Sequence, residues 1–150
     1  ARRLMRPDLH DAPRAIDLDL LSAYVATEVV GTDGTVWSGP GAVALDGEMW
    51  VVTAENPFSE KQDAAVNEAA MAELEDVIRS AGHEPVAMVG RAPDRSWSEA
   101  CFGVRGDVSD AVRAWGRERG QHAVFRLTSE RHDVVSCWSG QVLAGRDRRA

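Results

Sequence analysis

The sequence predicts an α+β two-layer sandwich, a mainly antiparallel sheet with two larger helices packed on one face. Helical and strand patterns run in the order helix, strands, long helix, two strands, helix, two strands. The links between successive strands are short, which suits hairpins rather than parallel crossovers. Asp46-Gly47, a two-residue hairpin signal, lies between two apolar runs. With 44% hydrophobic residues in 150, one core and one domain are expected.

Residues 1–15, with Pro7, Pro13 and frequent charges, lack an apolar period and are expected to be a disordered lead-in. A single domain is expected over 16–140. Leu18, Leu21 and Tyr24 recur at helical spacing behind Asp17, a suitable N-cap, and Val25–Val30 is β-branched enough for a strand. Gly31–Gly34 reads as a turn and Thr35–Ser38 as a returning strand. Ala42–Leu45 and Glu48–Thr53 read as a hairpin around Asp46-Gly47. The long helix is expected over Ser59–Ala81: Ser59 and Gln62 form a capping-box pattern, Ala70, Met71, Leu74, Val77 and Ile78 share a face, and Gly82 closes it. Pro85–Val89 and Trp97–Val104 follow as strands. A second helix, capped by Asp107 or Ser109, carries Val108, Val112 and Trp115 up to Gly120, and Gln121–Thr128 with Asp133–Trp138 closes the sheet. Residues 141–150 read as an Arg-rich tail.

The net charge of −7 opposes phosphate binding by an overall field, so no nucleic-acid partner is expected. The arginine clusters Arg2, Arg3, Arg6 and Arg146, Arg148, Arg149 read as solvated ends. No apolar run reaches the roughly 20 residues of a membrane span, and the start lacks a signal-peptide core, so the cytoplasm is the expected location. Cys101 and Cys137 read as reduced core thiols. His10, His83, His122 and His132 show no metal-ligand spacing and read as surface or turn residues. No metal and no cofactor are expected.

Four separated motifs resemble one family. They are Thr53-Ala54-Glu55-Asn56-Pro57 at a strand end, Asn67 early in a helix, Gly90, Pro93, Asp94, Trp97 and Glu99, and Gly120-Gln121-His122-Ala123-Val124-Phe125. In that order they resemble the bacterial domain of unknown function family 3293, over about residues 16–138. That family often has an aromatic where this chain has Glu55. The resemblance implies a fold and a site but no activity.

The candidate site is Glu55, Asn56, Asn67, Trp97, Glu99 and Gln121. Asn and Gln offer one acceptor and two donors each, which suits a base, an amide or a sugar hydroxyl. A carboxylate beside Trp97, as Glu99 is, is expected to have a raised pKa and to serve as an acid/base group, while Trp97 stacks a planar ligand. Arg91 or Arg126 as a partner would instead make Glu99 half of a structural ion pair. Asn56, Asn67 and Gln121 could equally serve only to hold loops. The expected function is binding of a polar small molecule, nucleotide-like among the options. The alternative is a protein-interaction or regulatory module, which would expose an apolar patch of Trp37, Trp50 or Trp138.

Overall fold

The computed structural model describes residues 16–150. Helix α1 (Leu18–Ala26) leads into strands β1 (Glu28–Gly31), β2 (Val36–Ser38) and β3 (Met49–Val52). Helix α2 (Ala64–Ser80), β4 (Val86–Arg91), β5 (Ser98–Arg105), α3 (Ser109–Glu118), β6 (Ala123–Leu127), β7 (Arg131–Ser136) and β8 (Val142–Asp147) follow. The strands form one sheet in the order β2-β1-β4-β5-β3-β6-β7-β8, with every pairing antiparallel. The α+β class and the antiparallel pairing agree with the sequence reading. The layering does not, because the sheet curls into a half-barrel with helices on both faces.

Alternation along the strands decides which helix lies where. Trp50, Val52, Phe102, Val104, Val124 and Val135 point to one face and pack with Met71, Leu74 and Ile78 of α2 and with Val112 and Trp115 of α3. The residues at alternate positions, Met49, Val51, Cys101 and Leu127, point to the other face with Val29 and Met88. There Leu21 of α1 meets Val134, with Phe125 and Ala144 alongside. A flat sandwich would leave this second face to water. Curling encloses it, and α1 caps one end.

The curl also brings the edge strands together. Gly39 N donates to Arg148 O (2.8 Å), and Arg148 Nη1 donates to Trp37 O (2.7 Å). Residues 141–150, expected as a tail, therefore include an integral strand, and Arg148 is fully buried. The guanidinium of Arg148 replaces solvent with Thr128 O (2.6 Å), Ser129 O (3.1 Å) and Trp37 O, a saturation that the basic sequence does not reveal. Arg146 likewise donates to Val25 O (2.6 Å) and Thr27 O (2.7 Å). His132 and His122 are buried rather than superficial, His132 because the β7 register sets it against Phe125 on the enclosed face. The lead-in at 1–15, with Arg2, Arg3, Arg6 and His10, lies outside the described residues.

The entry helix begins as its sequence indicates, with Asp17 Oδ1 accepting from Leu20 N at 2.7 Å. The long helix starts later than Ser59. Asn56, Phe58 and Ser59 all adopt left-handed φ, so Pro57–Ser59 forms a single 3-10 turn, and α2 begins only at Ala64. Its end is as expected: Gly82, at φ 89, follows the last turn, and His83 N reaches back to Ile78 O. Gly47 takes a positive φ as a turn residue, but Ala42–Leu45 forms no strand and β3 pairs instead with β5 and β6. Among the described residues, no helix is long and apolar enough to cross a membrane.

Candidate functional site

The site forms where β3 leaves the sheet. Strand β5 continues beyond the end of β3, so the backbone polar groups of Ala100 lose their ladder partner. Side chains take over. Thr53 Oγ1 donates to Ala100 O (2.8 Å), and Glu55 Oε2 accepts from Ala100 N (3.0 Å). Glu55 therefore continues the ladder with its carboxylate, and that occupies the place where an aromatic is common in the resembling family.

The chain then turns sharply at Asn56, which sits at φ 49, ψ 64. A left-handed non-glycine residue is held there only by its surroundings. Asn56 N donates to Asn67 Oδ1 (3.0 Å), Asn67 Nδ2 donates to Asn56 Oδ1 (3.0 Å), and Gln62 N donates to the same Oδ1 (2.9 Å). With its carbonyl oxygen filled by two donors, the Asn56 amide must present Nδ2 elsewhere, and it donates to Glu99 Oε2 at 2.8 Å. Gln121 Nε2 donates to Glu55 O (3.0 Å), tying the start of β6 to the same turn. Phe58 N donates to Gly120 O (2.7 Å); Gly120 is at φ 70, and a Cβ there would lie 2.9 Å from Pro57 Cβ.

These bonds surround a cavity of about 60 Å³ on the enclosed face of the sheet, walled by Tyr24, Asn56, Trp97, Glu99, Cys101 and Phe125. Alternation on β5 aims Glu99 and Cys101 at that side, away from α2 and α3, and Trp97, just before the strand, lines the cavity with them. Gly90, paired opposite Glu99, removes a side chain from the floor. A groove of about 450 Å³ adjoins the cavity and shares Tyr24, Asn56, Ser59, Trp97 and Glu99 with it. Tyr24 Oη and Ser59 Oγ, 3.0 Å apart, bridge α1 to the strained turn over this opening.

Burial pushes the Glu99 carboxyl above its usual range; the Asn56 hydrogen bond partly opposes this and the Glu55 charge adds to it. Neither arginine considered as its partner reaches it: Arg91 pairs with Glu28 at 3.2 Å and Arg126 with Asp133 at 2.8 Å. Glu99 Oε1 receives no hydrogen bond from a described residue. Burial also raises the Cys101 thiol and the Tyr24 phenol, each to about 12, so neither is a ready nucleophile at neutral pH.

The sequence-predicted residues thus divide. Asn56, Trp97, Glu99 and Gln121 border the cavity. Glu55 and Asn67 do not; they border a separate groove with Lys61 and Gln62 and brace Asn56 from behind. Tyr24, Ser59, Cys101 and Phe125 are additional. Alternation from Glu99 gives Cys101, whereas no local signal joins Tyr24 to Ser59, 35 positions apart. Among the described residues, no group of three or more His, Cys, Asp or Glu could hold a metal ion.

No curated protein and no solved structure matches this chain. A family model does match, over residues 52–124, a stretch that holds all six residues singled out from the sequence. From the end of β3 to the start of β6, the chain is similar to the family described as protein of unknown function (DUF3293), the family its four motifs resemble.

Proposed function

We propose that this domain binds a compact polar molecule in the cavity beneath Tyr24 and the Asn56–Ser59 turn, with Glu99 as the main recognition group and the candidate acid/base. One observation carries the reading. Among the described residues, Glu99 is held by a single hydrogen bond from Asn56 and has no cationic partner within ion-pair distance, and it turns toward a cavity. A carboxylate kept only for stability would be costly in such a setting unless paired. The strain at Asn56, Phe58 and Ser59 lies at the same place and supports the reading, since such residues persist where the surroundings impose them and cluster at ligand sites.

Among the described residues the cavity lining holds no lysine or arginine, which disfavours a phosphate group inside the cavity itself, while Lys61 lines the adjoining groove. The raised Glu99 pKa suits proton transfer to or from a bound molecule. Binding is the part of the reading that the geometry supports more fully. The interaction-module alternative draws less support: Trp37 and Trp50 are buried, and half-buried Trp138 donates to Gln121 O at 3.2 Å.

A thermal-shift screen of wild type and Glu99→Gln against nucleosides, sugars, amines and amino-acid derivatives tests this. A ligand at about 100 times its Kd adds roughly 2.7 kcal/mol. That is a rise of several degrees at roughly 2–4 °C per kcal/mol. The expected outcome is a hit on wild type that the variant loses. Absence of any hit, with both proteins folded, overturns the reading.

A further inference from the structure

Resting on the reading of the cavity as a ligand site, we propose that its ligand offers a compact organic cation, a primary ammonium head, to Glu99 Oε1 between the rings of Tyr24, Trp97 and Phe125. The composition of the wall carries this. Among the described residues, three aromatic rings and one carboxylate line the cavity with no lysine or arginine, and Lys61 stands outside it, in the adjoining groove. Aromatic faces attract cations through the ring quadrupole, and most strongly where water is scarce. An anion would meet an uncompensated carboxylate there, while a neutral guest would leave the Glu99 charge unanswered.

The remaining polar groups fit the same guest. Asn56 gives its amide oxygen to Gln62 N and Asn67 Nδ2 and one Nδ2 hydrogen to Glu99 Oε2, so its oxygen does not compete with Glu99 for the ammonium hydrogens. Glu55, whose charge reaches Glu99, deepens the negative potential from behind. Tyr24 Oη and Ser59 Oγ stand at the opening as hydroxyl acceptors for further ammonium hydrogens. A cavity of about 60 Å³ takes a head of a few heavy atoms, and the adjoining groove of about 450 Å³ receives an alkyl or polar tail past Trp97.

The test titrates the whole chain, followed by amide chemical shifts, with n-butylammonium, n-butanol and butyrate, which share one shape and differ in charge. The expected order is ammonium first, by about tenfold or more over the alcohol, as a coupled charge pair out of bulk water gives. Butyrate is expected not to bind. Glu99→Gln keeps an acceptor for Asn56 and should abolish the preference for ammonium over butanol. Trp97→Leu should lower ammonium affinity a few-fold, and it serves if Glu99→Gln does not fold. Equal affinity for butanol and butylammonium, or a preference for butyrate, overturns the cation inference and leaves the pocket standing. Shifts confined to residues outside the cavity, for all three probes and for every hit of the wider screen, overturn the pocket and the cation together.

Discussion

Two buried polar clusters sit on the enclosed side of the sheet, and they differ in whether a void stands beside them. Where β2 meets β7 and β8, Arg148 gives its guanidinium to three carbonyls, Arg146 gives to four, and Ser38 Oγ lies 2.7 Å from His132 Nδ1. Its cations face backbone oxygens, and Arg146, Arg148, Ser38 and His132 line none of the cavities around Glu99. Where β3 leaves the sheet, backbone polar groups are equally well cared for, yet one carboxylate oxygen is left over and a cavity stands beside it. The first cluster closes the sheet. The second is braced as firmly but keeps one group for something else. Unused hydrogen-bonding capacity facing a void separates a binding site from a latch, since both use the same residue types.

The largest effect is expected at the closing cluster. Arg148→Met removes the donors to Trp37 O, Thr128 O and Ser129 O, leaving three carbonyls stranded where the edges meet. A loss of about 3–5 kcal/mol, or failure to fold, is expected from the midpoint of urea unfolding. A loss below about 1 kcal/mol would mean the sheet does not depend on this closure.

Acid should act through the same cluster. Burial, with Arg146 close by, lowers the His132 pKa from 6.5 to about 3. In the range between those values the unfolded chain binds a proton that the folded chain refuses. Stability is thus complete above about pH 6.5 and falls by roughly 1.4 kcal/mol per unit below it. The raised Glu99 pKa has the opposite sign: its charged form is the costly one when folded, so that cost fades as pH falls. Asp33 and Asp94, whose pKa values are lowered, begin to cost stability only nearer 3.8. Unfolding of His132→Asn, followed between about pH 5 and 6.5, should lose the slope; an unchanged slope assigns the acid sensitivity to another group.

At the other cluster, Asn67→Ala removes the acceptor for Asn56 N and the donor to Asn56 Oδ1. The expected cost is about 1–2 kcal/mol by chemical unfolding, less than at Arg148 because water can reach these half-buried groups. Ligand affinity should fall by more than stability alone explains, since Asn67 orients the amide that holds Glu99. Unchanged affinity would reduce Asn67 to a brace for the loop.

How much of each cluster the sequence discloses follows from the range of the interactions that make it. Asn56, Glu99 and Gln121 are polar residues set at the ends of apolar strands, and position alone marks them. The core of α2 is visible in its period, but its start is not. Ser59 and Gln62 mimic a capping box while the tertiary bonds of Asn56 and Gly120 hold the chain in a different turn. β8 is invisible for a similar reason: Val142–Asp147 ends in a basic stretch, and only its pairing with β7 and the carbonyls waiting for Arg146 and Arg148 make it a strand. Tyr24 joins the cavity through helix packing across the half-barrel, which no local pattern encodes.

The smallest effect expected on stability tests whether the strain at the turn belongs to binding. Ser59 sits at φ 63 and hydrogen-bonds Tyr24 near solvent. Ser59→Gly relieves a left-handed L-residue, a gain of about 1 kcal/mol. Against that stand the larger entropy that glycine loses on folding, about 0.5–1 kcal/mol, and the modest worth of an exposed hydroxyl bond. The net should lie within about 0.5 kcal/mol of zero, as read from the unfolding midpoint. Affinity should nevertheless drop, because Tyr24 is no longer tethered over the opening. Such a split would show the strained turn serving the ligand rather than the fold. A stability loss approaching that of Arg148→Met, with affinity intact, would make the turn a second latch and erase the distinction between the two clusters.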